Sequence, residues 1–128
     1  MINTKFIAET DALINIFKLR QIAVENLNLV VAKVKSDEVT SGGIVIPKKA
    51  TELKDYNNGL ARIIAVAANC DEQYQPGDYI IHSHEARYKP HEEALREFLG
   101  YLVEENLVYT LSDNNVIMRI SKESVHAN

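Results

Sequence analysis

The side chains best equipped for chemistry fall in one short stretch. His82, Ser83, His84 and Glu85 are consecutive, and His91 follows shortly after. On an extended segment His82 and His84 project from one face, and two imidazoles with a carboxylate are a donor set that zinc accepts. A small metal-binding barrel or metalloenzyme using His82, His84 and His91 is therefore a competing expectation. Its simpler counterpart is a set of solvated polar residues at a strand end, because no spaced metal motif completes the set. Ser83 has no identifiable third group or oxyanion donors, and Ser41, ahead of Gly42 and Gly43, has no assignable base. Cys70 is the only cysteine, so no intramolecular disulfide forms, and a buried, idle thiol is its expected state. The expectation is a protein without turnover of its own, with no catalytic residue, no metal and no cofactor.

Composition narrows the partners. The chain has 128 residues, 46% of them hydrophobic and 25% charged, which suits one compact globular unit. A formal charge of −4 argues against a surface that tracks phosphates. Aromatic residues are not interleaved with Lys and Arg, which counts against a nucleic-acid-binding barrel. Tyr79, Tyr88, Tyr101 and Tyr109 then read as packing and rim residues. No apolar run is long enough for a membrane span, and the start lacks a secretory signal's layout. A cytoplasmic protein with no membrane or nucleic-acid partner is expected.

The elements that would position these residues divide into helix and strand. Thr10 as a cap, Asp11 in the first turn, and Leu13, Ile16 and Phe17 on one face predict an N-terminal helix, within an extension over residues 1–25. Short β-type runs follow at Leu29 to Lys35, Leu60 to Ala67, Tyr79 to Ser83, Leu107 to Leu111 and Val116 to Ile120. They predict a mainly β fold, a small barrel or sandwich over residues 26–122, with a tail over 123–128. Along the second run, Leu60, Arg62, Ile64 and Val66 alternate with Ala61, Ile63, Ala65 and Ala67. Pro76, Gly77 and Asp78 form a turn into the third strand, and Ser112 to Asn115 joins the last two. Pro90 at a first helical position, with Leu95, Phe98, Leu99 and Leu102 on one face, predicts a short inserted helix within 89–103. Gly100 either ends it, leaving Tyr101 to Val103 as a strand, or does not.

The most informative segment is Ser36 to Thr51. Its polar first half ends in Gly42 and Gly43, so it has little apolar area to offset ordering and is expected to be mobile when free. Ile44, Val45 and Ile46 follow, β-branched and, at Ile46, restricted by Pro47, so the tripeptide is primed to lie extended in a groove. The plain alternative is an ordinary hairpin with a glycine turn and a buried strand.

From Asn28 to Ile120 the chain resembles the GroES-type co-chaperonin family. Leu29 to Val34 is similar to the family's first strand, and Glu38-Val39-Thr40-Ser41-Gly42-Gly43-Ile44-Val45-Ile46 to its mobile loop. Asn58 to Val66, Gln75 to Ile81, and Leu107 to Ile120 resemble in turn the Ala-Val strand, the Gly-Asp turn with its strand, and the closing hairpin. Any one element is a weak signal, whereas five in order are fairly specific. The resemblance implies a GroES-like irregular β-barrel and a ring, a heptamer, that lids a GroEL-type chaperonin and encloses a client protein. Ile44, Val45 and Ile46 would bind that partner, with Gly42 and Gly43 as the loop's hinge. Subunits would join through first and last strands, at Val30, Val31, Val116, Ile117 and Ile120. The chain departs from cellular members in its N-terminal helix, its inserted helix and a shortened roof connection over 67–76. Such drift resembles phage-encoded members, which act in the host cytoplasm.

Overall fold

The computed structural model describes residues 2–34, 59–71, 73–83 and 89–126, the last span without the side chains of 89–92. Helix α1 (Thr4–Leu19) comes first, then strands β1 (Asn28–Lys33), β2 (Leu60–Val66) and β3 (Tyr79–His82). Helices α2 (Lys89–Leu99) and α3 (Tyr101–Glu105) precede β4 (Val108–Ser112) and β5 (Val116–Ile120), and α4 (Lys122–His126) closes the described chain. All five strands form one antiparallel sheet in the order β4-β1-β2-β3-β5. The expected small strand-built domain is present as this one five-stranded antiparallel sheet, and among the described residues helix and strand contribute about equally.

The strand order forces curvature. β4 and β5 are consecutive in sequence yet lie on opposite edges, joined only by the 3-10 turn Asp113–Asn115. In a flat sheet those edges would stand about 19 Å apart, four spacings of about 4.8 Å. The link from Ser112 to Val116 reaches about 14 Å even fully extended, and a 3-10 turn is shorter still. The sheet must therefore curl until its edges approach at this end. The turn straddles the gap: Asp113 N donates to Leu27 O at 2.9 Å, and Asn115 O accepts from Ser83 N at 3.1 Å. The last two strands are thus neighbours in sequence without being a hairpin, contrary to the sequence reading.

Both faces of the curl are apolar. Leu29, Val31, Ala61, Ile63, Ile80, Tyr109 and Leu111 form an inner cluster with Ala67 and Cys70, flanked by Val24, Tyr74 and Leu107 from the connections and, among the described residues, without any helix residue. Val30, Ala32, Ile64, Tyr79 and Val108 face the other way, onto Phe6, Leu13, Ile14 and Phe17 of α1, with Leu99 and Val103. The predicted alternation on β2 holds through Ile64. There the register with β1 slips between Val30 and Val31, and the extra residue lets Ile64 and Ala65 both join the helix-side cluster.

Helix α1 begins earlier than predicted. Asn3 is its cap, with its side-chain oxygen accepting from Lys5 N at 2.7 Å. Thr10 is instead fully buried in mid-helix, its hydroxyl donating to Phe6 O at 2.7 Å. That buried hydroxyl has a purpose in packing, because it also accepts from Arg62 Nη1 at 2.7 Å. Arg62, on β2, further donates through Nε to Gly77 O at 2.9 Å and meets Asp11 Oδ1 at 2.8 Å. One guanidinium therefore joins α1, β2 and the Pro76–Gly77 turn. At the other end of the chain Asp78 Oδ1 accepts from Lys122 N at 3.0 Å, and Tyr79 Oη lies 2.7 Å from His126 Nε2, which together dock α4. Gly100, at φ +76°, stops α2 and starts α3, so Tyr101 to Val103 are helical. Phe98, expected on the apolar face, is 64% exposed and lies under the Arg20 guanidinium.

Candidate functional site

Two features stand out as more than packing, and the first is the root of the 35–58 segment. β1 and β2 are adjacent antiparallel strands paired as far as Lys33 and Ala61, and Val34 N donates to Leu60 O at 3.1 Å. Strands closed this tightly need only a two-residue turn to connect them. The chain spends residues 35–58 on the connection, so the surplus length is not demanded by the sheet. Gly59 fixes the root against β3: its carbonyl accepts from His82 N at 2.9 Å, and a Cβ here would stand 2.1 Å from His82 O. Only glycine lets the two backbones approach this closely. The segment's residues Gly42, Gly43, Ile44, Val45 and Ile46 lie outside the described residues.

The second feature is the outer edge of β5. Its other edge pairs with β3, Tyr79 opposite Ile120 and Ile81 opposite Met118, and no strand borders the outer one among the described residues. Ile117 and Met118 are 66% and 55% exposed, whereas Val116 and Ile120 are half-buried against the inner and helix-side clusters. With Asp71, Gln73 and Tyr74, residues 116–119 line a groove of about 150 Å³. An apolar strand with a free edge invites another strand. The sequence reading named Val116, Ile117 and Ile120 here but missed Met118. The signal was the run Val-Ile-Met-Arg-Ile, which lacks the polar alternation of a strand with one wet face.

Val30 and Val31 do not belong with this edge. β1 is a central strand, held by β2 on one side and β4 on the other, and both valines are buried in the chain's own core. Their backbone groups are already used in the ladder, so a neighbouring chain cannot pair with β1. The expected joint between first and last strands is corrected accordingly: the strands at the sheet's edges are β4 and β5.

His82 is buried inside the curl rather than presented at a surface. Its Nε2 lies 2.6 Å from Tyr109 Oη and its Nδ1 2.6 Å from Ser83 O. Since the carbonyl can only accept, Nδ1 carries the proton and Nε2 accepts from the tyrosine. Burial lowers the His82 pKa, with nearby Lys33 acting in the same direction and the Ser83 bond opposing it. Both ring nitrogens are thus committed within the fold, which leaves His82 no lone pair for a metal. His84 and the His91 side chain lie outside the described residues, and no group of three metal-ligating side chains occurs among those described. Cys70 is buried at the turn after β2, its Sγ 3.8 Å from Asn28 O, and burial pushes its thiol pKa up, away from nucleophilic character. No helix among the described residues is long and apolar enough to cross a membrane. No family model, curated protein or solved structure matches the chain.

Proposed function

We propose that the chain is a non-enzymatic co-chaperonin, a ring-forming lid subunit with a GroES-like barrel that docks on a GroEL-type chaperonin through residues 36–51. The observation that carries this reading is the long excursion rooted in a closed strand pair, whose sequence Gly42-Gly43-Ile44-Val45-Ile46-Pro47 places three aliphatics after a hinge. In this reading Ile44, Val45 and Ile46 enter an apolar groove on the partner. Burying three such side chains yields about 5–9 kcal/mol, while ordering about ten residues costs about 1–2 kcal/mol each. One loop alone therefore binds weakly. A ring of loops converts later contacts into intramolecular events and gives avidity that lapses when the partner's grooves withdraw.

The free β5 edge supports the ring. Heterologous pairing of one chain's β5 with a neighbour closes a ring and covers an exposed apolar strand at once. The connection from β2 to β3 supports an open apex, since it folds back on the sheet's end: Ala67 N donates to Asn28 O at 3.0 Å, and Gly77 N to Ile63 O at 2.8 Å. An open top suits a client bulkier than a closed dome accommodates, as a phage-encoded lid would require. Co-sedimentation with a GroEL-type chaperonin, with and without ATP, tests the proposal. Nucleotide-dependent binding is expected, and its absence at micromolar ring concentration overturns the reading.

A further inference from the structure

A cationic notch lies on the helix side of the sheet, and no residue of β5 lines it. Asp11, Ile14, Asn15 and Lys18 recur at helical spacing and share one face of α1. Facing them are Pro76, Gly77 and Lys122, with Arg62 at the base, around a cavity of about 280 Å³. Lys18 and Lys122 are exposed, whereas the Arg62 side chain is only 3% exposed.

The state of Arg62 distinguishes this notch from an ordinary patch of surface lysines. Its Nε donates to Gly77 O, and its Nη1 serves Thr10 Oγ1, Ile7 O and Asp11 Oδ1. Its Nη2 has no hydrogen-bond partner among the described residues. Gly77, at φ +99°, keeps the space beside that nitrogen open: a Cβ there would lie 3.5 Å from Arg62 Nη2 and 3.6 Å from Lys122 Cδ. A buried guanidinium therefore turns its one unused nitrogen toward a cavity that two flexible ammonium groups can reach. Among the side chains that line the notch three positive charges stand against Asp11, which is already engaged with Nη1, and the neighbouring Asp78 carboxylate is taken up by Lys122 N and Arg119, so the notch is locally cationic in a chain of formal charge −4.

We propose that this notch binds a phosphate group, free or carried on a small phosphomonoester. The surplus of about two positive charges matches the charge of about −1.5 to −2 on a phosphomonoester near pH 7. Arg62 Nη2 supplies a fixed charge-assisted donor, and Lys18 and Lys122 close over the other oxygens as mobile point charges. The proposal is independent of the lid reading.

Phosphorus-31 NMR of inorganic phosphate, titrated with the full chain at constant ionic strength, is the test, because ligand-detected broadening works whatever the size of the assembly. The expected result is saturable broadening that weakens about tenfold in affinity in the Lys18→Ala/Lys122→Ala variant and persists in Lys5→Ala. Glycerol phosphate run in parallel separates the sources: tighter binding than inorganic phosphate identifies a monoester site, and equal or weaker binding a site for the free ion. Broadening that is unchanged in the double variant, or absent in the native chain, overturns the proposal. Since both lysines are exposed, the variant keeps its fold, which its thermal melt verifies.

Discussion

Replacing Gly59 by alanine tests how the root of the 35–58 segment is held. The added Cβ would stand 2.1 Å from His82 O, more than an ångström inside van der Waals contact, and the obstacle is backbone rather than a yielding side chain. Either β2 withdraws from β3, breaking the 2.9 Å bond from His82 N to Gly59 O, or β3 bends and disturbs the bond between His82 Nε2 and Tyr109 Oη. One lost hydrogen bond costs about 0.5–1.5 kcal/mol, and the overpacking about 1–3 kcal/mol. The gain from a stiffer unfolded chain returns only about 0.4–1 kcal/mol. The net loss is about 0.5–4 kcal/mol, centred near about 2 kcal/mol, which at a mid-range urea slope of about 2 kcal/mol/M lowers the midpoint by about 1 M. Equilibrium urea unfolding reads this directly. A Gly59→Ala chain with the native midpoint would refute the close approach at the root.

Three further outcomes are expected. Arg62→Met strands the buried Gly77 carbonyl and frees α1 from the turn, lowering stability by about 2–4 kcal/mol in a thermal or urea melt despite relief of a buried charge. Burial lowers the pKa of both His82 and His126, so the unfolded chain binds more protons than the folded one as pH falls through about 6.5. Stability should accordingly drop on acidification below that pH, and urea midpoints of a His82→Gln chain should fall less steeply between pH 7 and pH 5. If the ring reading holds, Ile117→Lys at the β5 edge should convert a species of about seven chains, 7 × 14.4 kDa or about 101 kDa, to folded monomers in native mass measurement, with a melting temperature lowered only by the lost association. Lys5→Glu, on an exposed position of α1, should leave the assembly's mass unchanged.

The five strands were legible in sequence because turn residues bracket each apolar run: Gly59 before β2, Pro76 and Gly77 before β3, and Asp113 to Asn115 before β5. Their order was not, since nothing local says that β5 crosses to pair with β3 rather than turning back on β4. Nor does anything local say that β4 returns to pair with β1, the choice that makes β1 a central strand and puts Val30 and Val31 in the core rather than at an interface. The start of α1 was misplaced because Thr10 has the chemistry of a cap, and only the distant Arg62 explains why a hydroxyl is buried in mid-helix. His82 looked like a ligand for the same reason: its partner Tyr109 lies in a strand that curvature, not sequence proximity, brings to it. Phe98 followed its helical period, but α2 covers the sheet with Leu99 instead.

The central claim concerns Ile44, Val45 and Ile46, and the most direct measurement pairs stability with chaperonin binding in an Ile44→Ser/Ile46→Ser chain. If these side chains are exposed until docked, the thermal melt and ring mass stay as in the native chain while ATP-dependent co-sedimentation with a GroEL-type chaperonin is lost. A melt lowered by several kcal/mol, as expected for buried aliphatics replaced in a core, together with retained binding would contradict the account.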